Sequence, residues 1–153
     1  AAAVGANGWS STTVVTDTVF YTKTLEKRRV MMDDAAQIRA LIAPWVDACL
    51  TRDWDALFDI CTEEVFFDPP GAPRVTGPDL RTFLDGFPVM SEFNFDFDNI
   101  QIDGNIAIGH GNAAMTVDID GEDTAISFKF ADHFRRGEDG TWRYSSVIWN
   151  DNE

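Results

Sequence analysis

The chain has 153 residues, 12 of them phenylalanine, and a formal net charge of −14 from 12 Lys+Arg against 26 Asp+Glu. That length sets one domain as the expectation, with enough apolar content for a core. The charge excludes a nucleic-acid binder that works by neutralising phosphates, and it disfavours anionic membrane surfaces and highly anionic substrates.

Residues 1–30 are small and Thr-rich, include the strand-prone run "STTVVTDTVFYT" (11–22) and close on "EKRR". They read as an N-terminal extension available as an added strand or a partner contact, ahead of one domain over 31–153. The start "AAAVGANGW" lacks the basic and apolar regions of a signal peptide, and no apolar run approaches the roughly 18 residues of a membrane span. A cytoplasmic protein is the expectation.

A helix is predicted over 34–51, with Asp34 and Gln37 as a capping box and a kink at Pro44. Ile38, Leu41, Ile42, Trp45, Val46 and Cys49 share its buried face. A short helix from Asp53 turns Trp54, Leu57, Phe58 and Cys61 inward. Cys49 and Cys61 read as buried thiols, with neither metal-ligand spacing nor a disulfide framework. The strand "EVFFD" (64–68) follows, stopped by Pro69, Pro70 and Gly71. "TGPDLRTFLDGF" (76–87) is a third helix, with Thr76 as its cap and Pro78 in its first turn.

From Phe93 the period is two. Phe93, Phe95 and Phe97 alternate, and Ile100 and Ile102 break that phase, which predicts a bulge. "DGN" (103–105), "DGED" (120–123) and "GEDG" (137–140) separate the runs 106–118, 124–134 and 141–149, the pattern of an antiparallel meander. Helices first and a sheet afterwards give an α+β fold class. Gly109, Gly111 and Ala113 lie on one strand face, continued by Met115, which is assigned to a pocket; His110 shares the opposite face with Ile106 and Ile108.

Two carboxylates stand out. Asp68 ends a greasy strand, where it is either an ordinary turn residue or an acid held against apolar walls. Asp132 shares a strand face with Ile126, Phe128, Phe130 and Phe134, because side chains of a strand alternate. A carboxyl in that phase must pair or keep its proton.

"DPPGAPRVTG" resembles the Asp-Pro-x-Gly segment of ketosteroid isomerases, and "ADHFRR…GTWRYSSVIW" resembles the last hairpin of that family. The resemblance covers about residues 33–150 and extends equally to SnoaL-like polyketide cyclases and other proteins of the nuclear transport factor 2-like fold. It implies a cone: a curved, mostly antiparallel sheet wrapped around N-terminal helices, with an internal apolar pocket. It also implies Asp68 as the proton-shuttling base, Asp132 as a neutral hydrogen-bond donor to the substrate oxygen, and Trp149 as a pocket wall. Trp45 stands where that family has an oxyanion-binding Tyr, and Leu50 where scytalone-dehydratase-like members have a carboxylate. His110 and His133 read as structural or interfacial. The strand 106–118 carries no Arg, unlike limonene-epoxide-hydrolase-like members.

The expected function is therefore an enzyme acting on a hydrophobic carbonyl compound, steroid- or polyketide-like, by Asp-mediated proton abstraction of the isomerase, cyclase or dehydratase type. Asp68 and Asp132 are its catalytic residues, and Trp45, Trp149, Phe128, Phe130 and Met115 its substrate-binding residues. No metal or redox cofactor is implied. The alternative is a non-catalytic binding or assembly domain of the same fold. Ile106, Ile108, Tyr144 and Ile148 on the outer sheet face predict a homodimer.

Overall fold

The computed structural model describes residues 34–152; the expectations for residues 1–30 lie outside the described residues. Residues 34–39 are helical (α1), and after a turn at 40–41 the helix resumes as α2 (Ile42–Thr51). The sequence predicts one helix kinked at Pro44; the chain makes two. Pro44 has no N–H for the Ala40 carbonyl, and its ring crowds that carbonyl, so the axis breaks there. Asp34, expected to cap the helix, is buried instead. Its carboxylate takes Arg136 Nη1 at 2.8 Å and Trp142 Nε1 at 3.0 Å, tying α1 to the end of the sheet.

Arg52 ends α2 at φ 58°, the left-handed region that costs a non-glycine residue roughly 1 kcal/mol or more. Its guanidinium offsets this by donating to the Asp85 and Phe87 carbonyls, each at 2.8 Å. Helix α3 (Trp54–Asp59) follows, capped by Asp53, whose side chain accepts the Ala56 N–H at 3.0 Å. Helix α4 (Asp79–Asp85) has no side-chain cap; Thr76, expected in that role, is paired in a strand. The Arg52 bonds hold the far end of α4 against the end of α2.

The six strands are β1 (Cys61–Asp68), β2 (Val75–Thr76), β3 (Met90–Asp103), β4 (Ile106–Ile119), β5 (Glu122–Arg136) and β6 (Trp142–Asp151). Cys61 thus opens β1 rather than closing a helix. The sheet order is β2-β1-β6-β5-β4-β3, antiparallel except for β1 beside β6. The β4–β5 connection is Asp120-Gly121, both at positive φ, the two-residue turn whose twist matches the strands.

Two register shifts shape the inner face. The first falls between Phe97 and Asn99 of β3, so Phe93, Phe95 and Phe97 and then Ile100 and Ile102 pack inward, as their spacing predicts. The second falls between His133 and Phe134 opposite β6. Because of it Trp142 and Tyr144 point inward at one end of β6, and Val147 and Trp149 at the other. Tyr144, expected on the outer face from the phase of Trp149, is therefore fully buried. Ile106 remains 54% exposed on that face, with Ile108 and Ile148 half-buried.

The core is a chain of aromatic rings. Tyr144 stacks between Trp45 at 4.3 Å and Phe134 at 4.6 Å, and Phe97 meets Phe130 and Phe134 edge-on, both at 5.6 Å. Each such pair adds roughly 0.5–1.5 kcal/mol beyond its buried area. No described helix is long and apolar enough to cross a membrane.

Candidate functional site

The sheet curls over α2 and α4 and leaves a cavity of about 80 Å³ between them. Trp45 and Cys49 reach it from α2, Phe67 from β1, Phe83 and Leu84 from α4 and Phe87 from the loop after α4; the rest of the wall is sheet. Of the seven site residues named from the sequence, Asp132, Trp45, Trp149, Phe128, Phe130 and Met115 line this cavity. Asp68 does not.

The separation of Asp68 from Asp132 follows from strand phase. Val65 and Phe67 are the buried residues in the second half of β1, so Phe66 and Asp68 face the other way. The β1–β2 register sets Phe66 opposite Thr76 and Phe67 opposite Val75, and one further step brings Asp68 opposite Arg74. Both oxygens of Asp68 accept from that guanidinium at 2.8 Å, and the same guanidinium lies 3.8 Å from the centre of the Phe66 ring. Arg74 holds the Asp68 carboxyl below the usual carboxylate range. An acid so paired is a poor base, and the expected meeting of Asp68 and Asp132 in one cavity is absent from the fold.

Asp132 behaves as its phase predicts. It is 5% exposed, and its Oδ1 has no partner among the described residues. Burial pushes its pKa well above the ordinary value, and only the Ile148 backbone N–H draws it the other way. The carboxyl thus keeps its proton to higher pH than an ordinary carboxylic acid and can give it. It stands on an otherwise apolar wall between Phe130 and Phe134, on the face opposite His133. His133 turns outward, with its Nδ1 2.8 Å from the Ser146 hydroxyl, and His110 is exposed on the outer face.

Two nearby groups were not assigned a part from the sequence. The Cys49 thiol lines the cavity, its pKa pushed up to about 12 by burial, so it stays protonated. The Tyr144 hydroxyl, beneath Trp45, is fully buried with no partner among the described residues; burial and the nearby Asp132 both raise its pKa. Its inward phase depends on the β5–β6 register shift, for which the sequence carries no local signal. Among the described residues no group of three or more His, Cys, Asp or Glu side chains could hold a metal ion.

The family model for the SnoaL-like domain matches residues 42–145. The chain belongs to the SnoaL-like family. This SnoaL-like protein has the same fold as several solved structures. One is a conserved protein from Planctomyces limnophilus, with TM-score 0.67 and 19% identity over 79% of this chain and 99% of that one. A ketosteroid isomerase-like protein from Erwinia carotovora atroseptica superposes with TM-score 0.66 at 18% identity, over 77% and 95% of the two chains. A hexachlorocyclohexane dehydrochlorinase from Novosphingobium barchaimii does so with TM-score 0.66 at 15% identity, over 80% and 89%. No curated protein sequence matches the SnoaL-like chain.

Proposed function

We propose that the cavity takes a small hydrophobic carbonyl compound and that Asp132 alone moves its proton. One observation carries this reading: among the described residues, an apolar cavity contains a single carboxyl, which burial holds protonated, with one oxygen that has no partner. A carboxylic acid has a donor and an acceptor on one carbon. The Asp132 O–H gives its proton to the ligand carbonyl oxygen while the other oxygen takes a proton from the adjacent carbon. The product is an enol, and Asp132 is again a neutral acid. The reverse transfer to a more distant carbon of a conjugated enol shifts a double bond, which is an isomerase reaction. Neighbouring structures with isomerase-like and dehydrochlorinase names support proton-transfer chemistry on this fold.

The absence of Asp68 from the cavity favours a second reading, a binding module that holds the carbonyl without reacting. Exchange of ligand α-protons in D₂O, followed by NMR across a panel of apolar ketones and enones, separates the two. Exchange by the wild type and none by Asp132→Asn, which can still donate a hydrogen bond, is the expected result. Binding without exchange by the wild type makes the protein a binding module. Loss of exchange in Asp68→Asn restores the two-carboxylate mechanism. The homodimer now rests on Ile106, Ile108 and Ile148 without Tyr144, and sedimentation velocity reads it.

A further inference from the structure

The notion that Gly109 and Gly111 leave room for a ligand meets a different occupant. A Cβ placed on Gly111 would lie 2.6 Å from Phe130 Cζ, and one on Gly109 would lie 2.6 Å from Phe97 Cδ1. Gly109 is small so that the Phe97 ring can lie against the strand; a Cβ on Gly111 would meet the Asp96 backbone carbonyl of β3 as well as the Phe130 ring. The Phe130 ring is locked there by edge contacts with Phe95 at 5.4 Å and Phe97 at 5.6 Å. The same residue is a wall of the cavity, two positions from Asp132 on β5. Its ring fills the space over Gly111 beside the cavity.

What is left is small. The cavity measures about 80 Å³, whereas an apolar cavity of roughly 150 Å³ is known to take up benzene. The half-buried rings of Phe83, Phe87 and Phe93, which line the cavity without being closed over, are the source of added volume. Turned outward, they bring the cavity toward the volume of one ring.

We propose that Phe130, seated on Gly111, sets the ligand-size limit, and that the ligand of the Asp132 site is a single-ring or short-chain ketone or enone rather than a steroid- or polyketide-sized one. This rests on the carbonyl reading above. Opening the space over Gly111 extends the site beside Asp132 and admits a second ring.

The test titrates cyclohex-2-enone, a fused two-ring enone and a four-ring steroid enone into the wild type, Phe130→Ala and Phe130→Leu, with Trp45 and Trp149 fluorescence as the readout. Thermal melting checks folding. The wild type is expected to prefer the one-ring enone, and Phe130→Ala to gain about tenfold for the two-ring one, in line with what a change in pocket size achieves. Phe130→Leu shows a smaller gain in the same direction and carries the test if the alanine variant does not fold. Wild-type affinity for the two- or four-ring enone equal to that for the one-ring enone overturns the size limit. So does an unchanged two-ring affinity in the folded variants, and either result leaves the carbonyl reading standing. Failure of every ketone to bind the folded wild type overturns both.

Discussion

Replacing Asp132 by Asn removes a titrating group while keeping its shape, and the stability difference between the two proteins should depend on pH in a defined direction. Asp132 is buried, and its pKa in the folded chain is well above the ordinary 3.8. In the unfolded chain it ionises near the usual value. Below that value both states hold the proton and nothing is lost. Above it the unfolded state ionises while the folded state does not, so the folded state binds more protons and stability falls as pH rises. The fall is about 1.4 kcal/mol per pH unit until the folded pKa is reached. Asp132→Asn has no such loss, so its advantage over the wild type should widen as pH rises above the ordinary carboxylate range. For a domain of this size each pH unit corresponds to roughly 3–6 °C in melting temperature. Urea unfolding of both proteins at several pH values reads it, and subtracting one curve from the other cancels the remaining carboxylates. A difference that stays flat, or that narrows, as pH rises above the ordinary carboxylate range refutes the protonated buried acid and with it the donor role in the proposed chemistry.

Asp34→Asn should cost about 2–4 kcal/mol by urea unfolding, because it leaves the partly buried Arg136 guanidinium without its counter-charge and weakens the acceptor for the Trp142 indole. Arg52→Ala removes two bonds to the end of α4 and should lower stability by about 1–3 kcal/mol; hydrogen exchange should speed up in α4 before it does in β4 and β5. Tyr144→Phe deletes a buried hydroxyl that has no partner among the described residues, so stability should hold or rise by up to about 1 kcal/mol; a loss greater than that means the hydroxyl is bonded.

Asp132 was legible because β5 keeps a strict alternation over its inward residues, so one acid among them stands out. The bulge in β3 was legible for the same reason: regular phenylalanines make a phase change visible. Asp68 misled because Val65, Phe66 and Phe67 are apolar in a row. That run hides which phase faces the core, and only pairing with β2 brings Arg74 alongside. Tyr144 was misplaced because counting back from Trp149 assumes an unbroken strand, and the register shift lies across the β5–β6 ladder. The Asp34 contacts join residues more than 100 positions apart, beyond any local pattern. Pro44 announced a disturbance, and the structure makes it a break at residues 40–41 rather than a kink.

The shift in β6 also divides labour along a single strand. Tyr144 belongs to the ring stack and Trp142 is bonded to Asp34 of α1, so both hold the sheet on its helices, whereas Val147 and Trp149 belong to the cavity wall. The two sides couple through Trp45, which meets Tyr144 and also lines the cavity, so Trp45 is the position to leave unchanged. A laboratory evolution library confined to Val147, Trp149 and Phe128 can thus rewrite what the cavity accepts while the Tyr144 end keeps the chain folded. A lineage could have changed ligands by the same route without remaking its scaffold.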